Sequence, residues 1–138
     1  MAYDDPRGYP NQSYVSLATG SYDNADKKLI PQYVVGGITY PAYSSGSTSV
    51  LYILPTGGSV TINGLSADQC SSGRTLIIAN LSTNTAYQLI FPHLAGTSSA
   101  ANQFSNANLA NAYIFAGAAA RCTWLYPPGA ANGFWQFA

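Results

Sequence analysis

The sequence predicts an all-β fold, an antiparallel jelly-roll-like β-sandwich of about eight strands behind an extended N-terminal arm. Three observations carry this prediction. Short runs rich in Val, Ile, Tyr, Phe and Thr recur along the chain, clusters of Gly, Pro, Ser and Asn separate them, and no segment shows the apolar period of an amphipathic helix. An immunoglobulin-like sandwich is the second architecture that fits the same pattern.

The individual strands follow from local patterns. Residues 33–40 are rich in β-forming side chains, and Gly36 and Gly37 predict a bulge or bend within them. Residues 59–63 alternate strictly, which places the two apolar residues of that run on one face. The remaining strands are predicted at 50–54, 74–81, 87–91, 112–116, 121–126 and 134–137.

Residues 1–32 differ in character and are predicted to form an extended arm, leaving residues 33–138 as a single sandwich domain. Proline and glycine break any regular element there, and the alternative to an arm is a frayed terminus. Aromatic side chains spaced along such a segment are suited to anchoring it in pockets of a partner. The candidate partner-binding residues are therefore its tyrosines: Tyr3, Tyr9, Tyr14 and Tyr22.

Charged residues are scarce and unevenly placed. They make up 7% of the 138 residues, with five bases against five acids. A balanced chain lacks the electrostatic footprint of a nucleic-acid or anionic-membrane binder. After Lys28 only Asp68, Arg74 and Arg121 are charged. A free monomer normally carries more charge than this, so we expect much of the surface to be covered by other subunits. The alternative is a surface solvated by Ser, Thr, Asn, Gln and Gly, which are abundant in the chain. Among the expected subunits are copies of the same chain, in a homodimer or homotrimer.

The inventory of reactive groups argues against catalysis. Glutamate is absent, and the predicted sandwich domain contains a single aspartate, so a catalytic carboxylate pair is not available there. His93 is the one histidine and is expected to be structural, while Cys70 and Cys122 lie too far from it in sequence to suggest a metal site. The sequence lacks a secretory signal, so reduced thiols are expected. We predict a protein that is not an enzyme, with no cofactor and no metal.

Several short motifs follow one another in the second half of the chain. They are residues 75–80 (TLIIAN), 82–84 (STN), 89–93 (LIFPH), 99–104 (SAANQF), 124–126 (WLY) and 133–135 (GFW). Their order resembles a β-sandwich module of tailed-bacteriophage virion proteins. In size and layout the chain is similar to small capsid cement, or decoration, proteins with a jelly-roll fold.

The resemblance implies a structural role on a virion. A cement protein is made in the host cytoplasm, binds the outer capsid surface and holds neighbouring major capsid protein subunits together, often as a symmetric oligomer. No catalytic residues accompany this family, and no nucleic acid or membrane is expected as a partner. The same module also occurs in tail fibres, so the alternative function is an appendage module that recognises a host surface glycan.

Overall fold

The computed structural model describes residues 12–23, 33–35, 38–40, 50–67 and 70–137. Within these ranges the chain forms strands and a single turn of 3₁₀ helix, Ala100–Asn102. The strands are β1 (Gln12–Leu17), β2 (Gly20–Asp23), β3 (Tyr33–Val35), β4 (Ile38–Tyr40), β5 (Val50–Pro55), β6 (Val60–Gly64), β7 (Arg74–Asn80), β8 (Leu89–Phe91), β9 (Ala112–Ile114), β10 (Ala119–Leu125) and β11 (Phe134–Phe137).

Two packed sheets confirm the predicted all-β sandwich. The five-stranded sheet has the order β1-β5-β7-β10-β11, and the four-stranded sheet has the order β2-β6-β8-β9. Strand directions differ from the antiparallel pattern expected of a jelly roll. The pairs β1–β5, β5–β7, β2–β6 and β6–β8 are parallel, whereas β7–β10, β10–β11 and β8–β9 are antiparallel.

The parallel pairs arise because the chain changes sheets after β1, after β5 and after β7. β1 leads into β2, β5 into β6 and β7 into β8, and each step crosses from the five-stranded to the four-stranded sheet. As a result, β1, β5 and β7 run in the same direction as neighbours in one sheet, and β2, β6 and β8 do so in the other. Alternation of side chains predicts which face of a strand is buried, but it carries no information about strand direction.

The core lies between the sheets and follows the predicted alternation. In β5 and β6 every second residue is buried, and Val60 and Ile62 face inward as predicted. Trp135, in β11, is fully buried, and its Nε1 donates a 3.0 Å hydrogen bond to the Leu65 carbonyl oxygen. The largest buried side chains are Trp135, Phe91, Phe104, Leu51, Ile53, Ile62, Leu65, Leu76, Ile78, Leu89 and Val15.

The described part of the predicted arm range lies within the sandwich. β1 and β2 are edge strands of the two sheets, and Val15 and Leu17 are buried in the core. In the sequence, β1 is indicated by the alternation of these two residues with Tyr14 and Ser16. The neighbouring Pro and Gly residues instead favour irregular structure, so the strand is not predicted. Residues 1–11 and 24–32 lie outside the described residues.

Candidate interaction surface

The outward side of the five-stranded sheet is largely apolar. The register places Tyr14, Tyr52 and Ala79 in one row across β1, β5 and β7, and Val50, Ile77 and Arg121 in a second row. Most of these side chains are only half-buried. We call this surface the five-strand face and define it by its outward residues: Tyr14, Ser16, Val50, Tyr52, Leu54, Thr75, Ile77, Ala79, Ala119, Arg121, Thr123, Leu125, Phe134 and Gln136.

The charge of the five-strand face is a single cation. Arg121 is exposed and is the one charged residue among the outward positions that define this face. The hydroxyl groups of Thr75 and Thr123 lie 3.5 Å apart on it, which adds a neutral polar pair. A surface of this kind fits the core of a protein interface, where charged residues are depleted and aromatic residues are enriched.

A second group of exposed apolar side chains surrounds the loop before β9. Leu94 and Leu109 are 51% and 76% exposed, and Tyr113 and Phe115 are also exposed. Both leucines have left-handed backbones, with φ of 47° and 58°, a conformation that is uncommon outside glycine, asparagine and aspartate. The sequence from residue 75 to residue 120 contains no charged residue, so this part of the surface is neutral as well.

Asn80, which closes one of the sequence motifs, acts as a buried connector. Its Nδ2 donates hydrogen bonds to the carbonyl oxygens of Tyr87 and Ile114, each at 3.0 Å. Its Oδ1 accepts from the Ser82 backbone N–H at 2.9 Å. The side chain therefore joins the end of β7 to the segment before β8 and to β9, which is a framework role rather than a binding role.

His93 and Asn106 fix the loop between the 3₁₀ turn and β9. The Asn106 backbone N–H donates to His93 Nδ1 at 3.0 Å, and the Asn106 Nδ2 donates to the carbonyl oxygens of Phe91 and Ala110. His93 thus has a structural contact through one ring nitrogen. Asn106 Oδ1 is buried and has no hydrogen-bond partner. The amino-acid sequence does not mark Asn106 as a functional residue, since a loop asparagine carries no local sign of burial.

The cysteines are not joined in a disulfide, and Cys122 is buried in the core. Burial is the main cause that raises the pKa of the Cys122 thiol above its ordinary value. The nearby Cys70 raises it further, and Arg74 lowers it. Among the described residues, no three His, Cys, Asp or Glu side chains are grouped closely enough to hold a metal ion.

The raised pKa predicts a loss of stability in alkali. Above the ordinary thiol pKa of about 8.5 the unfolded chain ionises at residue 122 while the folded chain does not, so unfolding becomes easier as pH rises. We expect this group to lower the free energy of unfolding by up to about 1.4 kcal/mol per pH unit there. Urea unfolding of the wild type and of Cys122→Ala between pH 7 and 10 tests this. Equal pH slopes in the two proteins would contradict the assignment.

Of the four tyrosines predicted to bind a partner, the structure describes two, and these two lie in different sheets. Tyr14 lies on β1 and contributes to the five-strand face, whereas Tyr22 lies on β2 and packs partly against the core. The Tyr22 hydroxyl donates to the Ala18 carbonyl oxygen at 2.7 Å. Tyr3 and Tyr9 lie outside the described residues.

None of the described segments forms a helix that is long and apolar enough to cross a membrane. No protein-family profile, curated protein or solved structure matches the sequence or the fold.

Proposed function

We propose that this protein is a virion structural protein that binds the outer surface of a bacteriophage capsid and cements neighbouring major capsid protein subunits. The observation that carries the proposal is the five-strand face, an apolar and nearly uncharged sheet surface. The resemblance of the motifs in the second half to those of phage virion proteins supports a capsid as the partner.

Binding through this face is favourable because it removes few charged groups from water. Covering the exposed Ile77 and the half-buried Tyr14, Tyr52 and Leu54 removes apolar area from water, at roughly 25 cal/mol per Å². Arg121 is the one charge of the face that a partner would have to pair or leave at the rim.

Cementing then follows from the number of copies. Each copy adds a modest interface, and many copies at symmetry-related positions raise the temperature or pressure at which the shell opens. No bond has to be made or broken for this effect. The function therefore requires no catalytic residue, cofactor or metal.

Imaging of virions that carry a labelled copy of the chain tests the location. Label spread over the whole shell is the expected result. Label confined to one vertex or to the tail would favour the alternative, an appendage module that recognises a host glycan. Absence of the chain from every assembled particle would overturn both.

Replacing Ile77 with lysine tests the surface itself. Ile77 is 36% exposed and lies between Val50 and Arg121, so the longer cation can be solvated in the free protein with only mild repulsion from Arg121. Burial of an unpaired cation under a partner is costly, and we expect capsid affinity to fall by roughly tenfold or more. Co-sedimentation with capsids that lack the chain measures this.

The matched control is Thr61→Lys, which adds the same charge on the outward side of the four-stranded sheet. Its thermal midpoint and that of Ile77→Lys should both stay close to the wild-type value, which shows that neither variant unfolds. Equal capsid binding by Ile77→Lys and the wild type would remove the five-strand face from the interface. Equal loss in both variants would show that added charge alone weakens attachment.

A further inference from the structure

A cavity of about 250 Å³ opens beside the loop that precedes β9. It is lined by Asn106, Ala107, Asn108, Ala112 and Phe137. Ala107 and Asn108 are exposed, so the cavity is reached from solvent. Its lining combines methyl groups and one aromatic ring with two amides and contains no charge. A small number of polar groups in a mainly apolar cavity is the usual composition of a small-ligand site.

The amide of Asn106 is held in one orientation. The residue is 4% exposed, and its Nδ2 donates to the carbonyl oxygens of Phe91 at 3.1 Å and Ala110 at 2.8 Å. Rotation of the amide by half a turn would place Oδ1 against those two carbonyl oxygens, so the assignment of the oxygen and nitrogen is secure. Asn106 Oδ1 consequently stays without a donor. A buried acceptor that lacks a donor is costly, and it calls for a partner from outside the chain.

The other lining groups complement this acceptor. Asn108 Oδ1 accepts from the Ala110 backbone N–H at 3.2 Å, which leaves the Asn108 Nδ2 as an available donor. Phe137 is positioned by Phe91 and Phe104, whose ring centroids lie 4.8 Å and 5.4 Å from its own. The residues that line the cavity therefore include one unpaired buried acceptor, one amide donor and one ring that the core holds in place.

We propose that this cavity binds a neutral sugar residue. A sugar hydroxyl donates to Asn106 Oδ1, a second sugar oxygen accepts from Asn108 Nδ2, and the C–H groups of the ring pack against Phe137. Each hydroxyl both donates and accepts, which matches a pair of neutral amides. Charged ligands are disfavoured because the lining holds no opposite charge to compensate their desolvation. The proposal is independent of capsid binding, since none of the lining residues belongs to the five-strand face.

Amide-detected NMR of the full-length chain tests the proposal with defined probes. The probes are the methyl glycosides of glucose, galactose and mannose, with glucose 6-phosphate as the charged comparison. A ligand of this size in a shallow site is expected to bind with a dissociation constant of about 1–10 mM. Binding should shift the side-chain NH₂ signals of Asn106 and Asn108 and the backbone signal of Ala107, and glucose 6-phosphate should leave them in place.

A blocking variant and its control make the result specific. Ala107→Leu adds bulk at the mouth of the cavity and should abolish the shifts, whereas Ala86→Leu adds the same bulk at an exposed position outside the lining and should keep them. The proposal is overturned if a saturating concentration of glycoside causes no shifts in the wild type. It is also overturned if Ala107→Leu shows the same shifts as the wild type. Shifts with p-cresol but with no glycoside would show an anchor pocket for an aromatic side chain instead, which also overturns it.

Discussion

Substitution of Asn80 by alanine is expected to lower the free energy of unfolding by about 4 kcal/mol. The side chain is 1% exposed and makes three hydrogen bonds to backbone groups of three different segments. Without this side chain, two carbonyl oxygens and one N–H group lose their hydrogen-bond partner. Alanine also leaves a void where the amide was. The loss should appear in urea unfolding as a lower midpoint with an unchanged slope.

Asn63→Ala is the matched control for this prediction. Asn63 lies on the outward side of β6 and is half-buried, so its replacement should change stability by no more than about 0.5 kcal/mol. If Asn80→Ala cost as little as Asn63→Ala, the connection between β7, β8 and β9 would not depend on this amide.

Substitution of Gly133 by alanine is the second change with a large expected effect. A methyl group at this buried position would overlap three atoms of the Trp124 indole ring. The ring cannot move aside easily, because its Nε1 donates to the Ala101 carbonyl oxygen at 3.0 Å and its edge packs on Tyr126 at 5.7 Å. Overpacking of this kind costs about 3 kcal/mol and should lower the thermal midpoint by roughly 10 °C.

Gly96→Ala separates the steric effect from a general effect of adding a side chain to glycine. No atom lies within 4 Å of a methyl group placed on Gly96. Its replacement should be neutral, or slightly stabilising because alanine reduces the freedom of the unfolded chain. Calorimetry of both variants measures the difference. A thermal midpoint for Gly133→Ala within two degrees of the wild type would contradict the close packing against Trp124.

The strands of the second half could be predicted closely because each has a local signature. β6 and β7 fall within the predicted ranges 59–63 and 74–81 to within one residue, since alternation and turn residues mark both ends. β3 and β4 lie within the predicted range 33–40 and pair in antiparallel register. β1 and β2 were not predicted, because Gly20 and the nearby prolines outweighed a short alternating run.

The candidate surfaces were only partly predictable. A scarcity of charge after Lys28 indicated a neutral surface, and Arg121 is the one charged residue among the positions that define the five-strand face. Which neutral residues form one face depends on strand register: Tyr14 and Tyr52 are neighbours only because β1 and β5 pair in parallel. The unpartnered Asn106 Oδ1 could not be predicted, since the orientation of this amide depends on the carbonyl oxygen of Phe91 in β8, a different segment of the chain.

The amino-acid sequence by itself determined that this chain is all-β, which side of most strands is buried, and that little ionic chemistry is available to it. These properties are local or compositional, and they follow from alternation, turn residues and residue counts. Strand direction, the joining of β1 and β2 to the two sheets, and the cavity beside Asn106 were decided only by the tertiary structure. They depend on contacts between segments that are far apart in the chain, and no local pattern encodes which segments meet.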